Sequence, residues 1–315
     1  MAESADKRMP MDEAIRRFVQ DGDSVYIGGF IHGEPYAAIH EIIRQGKRDL
    51  TLSCGAATLF ADQLIGAGCV RRLITSYCWN PVPDATYAFK RAVERSIPQS
   101  IELQEYSFLG LSLAYFAGAL DLPFVATKTM LGSGFLDHPG FLGESKVKVV
   151  DSPFGDGKVC LIGPLRHDVG IIQLQRADRL GNGQAWGLLG PTKYGLHSCQ
   201  RVIVCAEEVV DEERILSDPG RTILPGFRTC AVVEEPWGAH PSYVQGYYDR
   251  DWRFASQYAK ATASLEGFEA YLEEWVLGVK DRREYLKKLG EERLTALKGR
   301  PRPSGSVNYG LYDRF

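Results

Sequence analysis

Val25-Tyr26-Ile27-Gly28-Gly29-Phe30-Ile31-His32-Gly33-Glu34-Pro35 is the stretch that decides the fold class. Val25 to Ile27 is a short apolar strand pattern, set off upstream by the turn residues Asp21, Gly22 and Asp23. From Pro35 to Gln45 the apolar Ala38, Ile39, Ile42 and Ile43 fall on one side of a helix. Strand, glycine turn, helix is how an α/β protein opens a site at the carboxyl end of a parallel strand. The Gly28-Gly29 pair either lets backbone approach a ligand and turn its amides toward an anion, or only makes a tight turn. The spacing excludes two familiar loops. No third glycine completes a dinucleotide fingerprint, and no Gly-Lys-Ser/Thr makes a P-loop.

The same alternation runs outward on both sides. Met11 to Gln20 reads as a short amphipathic helix, with Ala14, Ile15, Phe18 and Val19 as its apolar face. Leu50 to Ser53 is a second strand, running into the small residues Cys54, Gly55, Ala56 and Ala57, and Leu59 to Ala67 is helical. Arg71 to Tyr77 is a third strand. Pro81 to Ser96 is a loop and helix stopped by Pro98, and Ile101 to Leu103 is a further strand. Leu109 to Leu120 is a helix with so few charges that burial over most of its surface is expected. These elements predict an open, mostly parallel sheet with helices on both faces, an α/β fold.

Beyond Ser152 the loops shorten. Val159–Ile162, Val169–Leu174, Val202–Cys205 and Ala231–Val233 read as strands, with a strong turn at Asp178 to Gly183. Pro236 to Ser242 reads as an irregular loop, and Leu265–Leu277 and Arg282–Lys298 as amphipathic helices.

The chain has 315 residues, 44% hydrophobic and 24% charged, which is the composition of a globular protein. A net charge of -3 provides no basic field for nucleic acid. No apolar run is long enough to span a bilayer, and Met1 to Arg8 lacks the apolar core of a signal peptide. The seven cysteines contain no C-x-x-C and the six histidines no H-E-x-x-H, so neither a disulfide framework nor a metal site is expected. Reduced thiols in a cytoplasm fit best.

Candidate site residues follow from the strand ends. Glu105 stands just past one of them and before the neutral helix, where desolvation would tune it as an acid or base. A helix-capping acid favoured by the helix dipole is the alternative. Ser53, Cys54 and Gly55, Ser76 with Tyr77, and Gly132 with Ser133 occupy similar positions as candidate pocket walls. Cys54 as a nucleophile would need a cation or base that the sequence does not place beside it. As a small buried hydrophobe it needs nothing. His240 is either an acid–base group or a hydrogen-bonded structural histidine.

An ordered series of short motifs resembles the A (alpha) subunit of family I CoA-transferases, and most of all the glutaconate CoA-transferase group. The series is Ile27-Gly-Gly-Phe30, Pro35-Tyr-Ala-Ala38, Arg44-Gln-Gly46, Asp49-Leu-Thr51, Glu105-Tyr-Ser107, Leu122-Pro-Phe124, Gly132-Ser-Gly134, Gly238-Ala-His-Pro-Ser242 and Lys280-Asp281 with Glu284-Tyr-Leu286. The resemblance implies one such α/β domain over residues 1–299, a tail over 300–315, and an obligate assembly with B (beta) subunits, A2B2 or larger. It implies ping-pong transfer through a glutamyl-CoA thioester on the B subunit, with acyl-CoA as substrate and no permanently bound cofactor or metal. This chain would then supply pocket walls: Gly28, Gly29, Phe30, Ser53, Cys54, Gly55, Ser76, Tyr106, Ser107, Gly132 and Ser133, with Glu105 as its one candidate catalytic group. Some proteins of this resemblance are ring-opening hydrolases or decarboxylases acting on CoA thioesters, and in the hydrolases an acid at a position like Glu105 takes part.

Overall fold

The computed structural model describes residues 6–79 and 86–299. The start of the expected 81–96 loop and the 300–315 tail lie outside the described residues. The strands are β1 (Ser24–Ile27), β2 (Leu50–Ser53), β3 (Val70–Thr75), β4 (Glu102–Glu105), β5 (Val125–Thr127), β6 (Val147–Asp151), β7 (Lys158–Ile162), β8 (His167–Ala177), β9 (Gly183–Gln184), β10 (Cys199–Val209), β11 (Thr222–Leu224) and β12 (Thr229–Glu234). The helices are α1 (Met11–Phe18), α2 (Tyr36–Arg44), α3 (Leu59–Gly66), α4 (Tyr87–Arg95), α5 (Phe108–Ala119), α6 (Thr192–His197), α7 (Glu212–Leu216), α8 (Trp252–Ala261), α9 (Leu265–Leu272), α10 (Arg282–Leu289) and α11 (Glu291–Leu297).

A nine-stranded sheet carries the fold. Its parallel strands lie in the order β12-β10-β8-β1-β2-β3-β4. The hairpin partner β9 and then β11 add antiparallel strands beside the far end of β8. A separate three-stranded antiparallel sheet, β5-β7-β6, packs against the α5 side.

Period-two alternation sorts the side chains into two cores. Val25, Ile27, Val169, Ile171, Ile203, Cys205, Ala231 and Val233 face one core, which α1 to α4 and α8 to α10 close. Tyr26, Ile172, Leu174, Val202, Val204 and Val232 face the other, closed by α5, α6 and the small sheet. Burial on both faces is why these strands read as nearly continuous apolar runs.

Helix α5 is covered over most of its surface, as expected. Gly110, Leu111, Ala114, Tyr115 and Ala117 are buried, while Leu109 is 55% exposed. The remaining residues of the helix are half-buried, and Leu109 is its one exposed residue. The long helices expected at 265–277 and 282–298 are each interrupted. The first passes into a π turn at Glu273–Leu277, and the second breaks at Gly290, whose φ is 91°.

Gly118 fixes the seat of α5. A Cβ there would lie 1.8 Å from the Leu165 carbonyl oxygen, and Leu165 N–H donates to the Ala114 carbonyl at 3.0 Å. Gly118→Ala is therefore expected to cost about 2–3 kcal/mol of stability through overpacking, seen as a lower urea midpoint. An unchanged midpoint would contradict the close approach.

Candidate active site

Parallel register brings four strand ends to one edge. Tyr26 pairs with Ser53, Ser53 with Ile74, and Thr75 with Glu105. The loops that follow are stitched to one another. Cys54 N–H donates to the Ile74 carbonyl at 3.1 Å, Ser76 Oγ to the Gly55 carbonyl at 2.5 Å, and Tyr106 N–H to the Thr75 carbonyl at 3.2 Å. The rings of Phe30 and Phe108 lie 5.0 Å apart, and Tyr77 lies 6.4 Å from Phe108. A Cβ on Gly55 would touch Pro191 Cγ at 3.0 Å and Phe108 Cε2 at 3.5 Å, so the segment before α6 closes another side. Phe30, Gly55, Ser76 and Glu105 thus belong to one neighbourhood, as expected from strand ends.

Several residues play parts other than those the sequence suggested. The amides of Gly28 and Gly29 are already engaged. Gly28 N–H donates to the Ile171 carbonyl at 2.8 Å and Gly29 N–H to Thr192 Oγ1 at 3.2 Å. These glycines are needed for close packing instead. A Cβ on Gly28 would lie 2.7 Å from Ile172 Cδ1, and Gly29, with φ of 95°, turns so tightly that its Cβ would lie 2.6 Å from the His32 carbonyl oxygen. Ser53 is buried and shares a 2.8 Å hydrogen bond with Tyr115 Oη behind the sheet edge. Cys54 is buried, its thiol donating to Thr75 Oγ1 at 3.9 Å, and burial pushes its pKa well above the usual thiol range. A thiol held neutral is the small buried hydrophobe, and the nucleophilic reading fails.

Glu105 sits at the end of β4 with its side chain exposed, so this chain by itself does not supply the desolvation expected there. Nor does Glu105 cap α5. Ser107 does, its Oγ accepting from Gly110 N–H at 3.1 Å and lying 3.1 Å from Thr129 Oγ1. The loop through Thr129 leads to Gly132 and Ser133, whose hydroxyl turns inward to the Met130 carbonyl at 2.6 Å. Tyr106 is buried, with Lys146 Nζ 5.5 Å from its ring centroid. His240 lies apart from this edge. It is buried between Tyr285 Oη, 2.8 Å from Nδ1, and Asp251, 3.1 Å from Nε2, and burial lowers its pKa to about 4. It is the structural histidine.

Three contributors were not singled out from the sequence. Phe108 and Pro191 are wall residues with no distinctive spacing. Glu34 is a buried acid inside the opening stretch. Its Oε1 accepts from Thr58 Oγ1 at 2.7 Å, and its Oε2 has no partner among the described residues. An acid placed shortly before a helix of apolar character was the available signal. No group of metal-binding side chains occurs among the described residues, and none of their helices is long and apolar enough to cross a membrane.

Comparison with known proteins gives the family. The coenzyme A transferase family model matches residues 8–235, and the chain belongs to that family. It is 39% identical over 284 residues to the A subunit of 3-oxoadipate CoA-transferase from Pseudomonas knackmussii, covering 90% of this chain and 98% of the relative. It is 37% identical over 305 residues to the A subunit of glutaconate CoA-transferase from Acidaminococcus fermentans, covering 93% and 94%. The crystal structure of glutaconate coenzyme A-transferase from that organism superposes with a TM-score of 0.87 at 36% identity, over 94% of this chain and 96% of that one. The protein is a CoA-transferase subunit with the open α/β fold expected from its strand ends.

Cys54→Ser is expected to leave CoA-thioester turnover in place, and in the native chain Cys54 is expected to resist alkylation at about pH 8 until the protein is denatured. Rapid native alkylation at Cys54, located by mass spectrometry, would contradict its burial.

Proposed function

We propose that this chain is the A (alpha) component of a heteromeric acyl-CoA transferase that moves CoA between a dicarboxylic or branched acyl-CoA and a carboxylate acceptor. One observation carries the reading. The loops at Gly28–Phe30, Cys54–Gly55, Ser76 and Glu105–Ser107 meet at one apolar-walled edge, and the thiol within it is buried with its pKa pushed up. The walls belong to this chain, and on this reading the attacking group comes from the B subunit.

The chemistry that fits is stepwise. A glutamate carboxylate that the B subunit supplies attacks the thioester carbonyl, the C–S bond breaks, and CoA thiolate leaves a mixed anhydride. The thiolate then attacks the glutamyl carbonyl and releases the first acid, giving the glutamyl-CoA thioester. An acceptor carboxylate attacks this thioester in turn, and the same two exchanges run in reverse order to form the new acyl-CoA. CoA enters as a substrate. This chain contributes position and exclusion of water, through the rings of Phe30, Phe108 and Tyr77. Glu105 becomes desolvated only when a partner covers it.

Apolar surface near this edge supports such a partner. Tyr77 is 37% exposed, Leu109 55%, Leu188 44% and Tyr194 41%. A paired B subunit, in an assembly of A2B2 or larger, would bury them. The free cysteines suit a cytoplasmic setting.

The chain purified with its B-type partner is expected to exchange CoA between an acyl-CoA and acetate, and borohydride is expected to trap a glutamyl thioester on the partner. Absence of both would overturn the transferase reading. Glu105→Gln separates it from a hydrolase or decarboxylase on the same fold. Abolished turnover with intact CoA-thioester binding and no trapped thioester would favour the latter.

A further inference from the structure

A second cleft, of about 600 Å³, opens between α1, α2, the end of β12 and the start of α10. It shares no lining residue with the edge around Phe30, Cys54 and Glu105. One buried unsatisfied group and one partly exposed acid stand among its lining residues. Arg282 is 4% exposed; its Nε and Nη2 donate to the Trp237 carbonyl and Nη2 also to the His240 carbonyl, the latter at 2.7 Å. Its Nη1 is buried with no partner among the described residues. The Glu235 side chain makes no hydrogen bond or ion pair with another described residue, and the Arg282 guanidinium is the nearby charge that acts on it most. A buried donor without an acceptor is unfavourable, the more so when charged, so an occupant that supplies one is favoured.

We propose that this cleft is a binding site for a small carboxylate anion, which bridges Arg282 Nη1 and the Glu235 carboxyl. One ligand oxygen accepts from the guanidinium. The other accepts from Glu235 in its protonated form, so binding takes up a proton wherever Glu235 was ionised. Arg282 opens α10, where the helix dipole adds further favourable potential for an anion. Arg44 is not free to compete for the ligand, because it pairs with Glu41 at 2.8 Å.

Burial raises the Glu235 pKa to about 7, which sets the pH range. Around Glu235, α10 and its cap present Arg282, Arg283, Asp281 and Lys280. Helix α2 presents the Arg44–Glu41 pair and His40, which burial holds neutral. Helix α1 presents Asp12, and Glu234 neighbours on the strand. Below about pH 7 Glu235 is protonated and welcomes the anion; above it the ionised carboxylate repels the ligand.

The test is calorimetric titration of succinate into the full chain at several pH values. Affinity is expected to fall about tenfold from pH 6 to pH 8 as one proton dissociates near pH 7. In Glu235→Gln, which keeps a donor and loses the titration, affinity is expected to change less than about twofold over the same range. Arg282→Lys, if folded, should weaken binding at every pH. No succinate binding at pH 6, or the same pH slope in Glu235→Gln as in the native chain, would overturn the proposal. The same titration on the complex with the partner distinguishes an open cleft, where binding persists, from one the partner seals, where loss of binding overturns a role in the assembled enzyme.

Discussion

Parallel register across β1, β2, β3 and β4 is the constraint on which the rest depends. β1, β2 and most of β3 are buried on both faces, while β4 is the edge strand with Glu102 and Glu105 exposed, so a slip by one residue in the inner strands would carry core side chains to the wrong face. The register therefore cannot drift, and the strand ends are held level. Every loop leaving those ends must then share one edge. Hydrogen bonds between neighbouring loops, such as Ser76 to Gly55 and Thr58 to Glu34, join them into a single wall.

Glycine serves that wall through size rather than through free amides. Gly28 lets Ile172 pass, Gly55 admits Pro191 and Phe108, and Gly118 lets α5 settle on Leu165. In each case the missing side chain is replaced by a neighbour's atoms. Among the buried polar groups with unmet capacity are Glu34 beside the glycine turn and Arg282 across α2.

Much of this was legible in the sequence because periodicity reports burial directly. The alternation of short apolar strands with amphipathic helices through the first half located β1 to β4 and α1 to α5 within a few residues. The segments read less well depend on tertiary contacts. Strand β6, Val147–Asp151, was not assigned from the sequence and gains its place by pairing with β7. Helix α8 follows an irregular loop, and its start is set by Asp251 accepting from Phe254 N–H at 2.8 Å while also meeting His240 and Arg293. The site was legible as a set of strand ends, whereas the direction of each polar group was not. Ser53 turns back to Tyr115, and the Gly28 and Gly29 amides are spent on Ile171 and Thr192. Those choices are made by residues more than a hundred positions away or on another layer, which local pattern does not encode.

We place the acyl-CoA against half a cavity built by this chain and completed by another. A photoreactive acyl-CoA, bound to the assembled complex and irradiated, tests this directly. Adducts mapped to the segments around Phe30, Gly55, Phe108 and Pro191 are predicted. Adducts confined to the opposite edge of the sheet, or to this chain's β5-β7-β6 face, would contradict it.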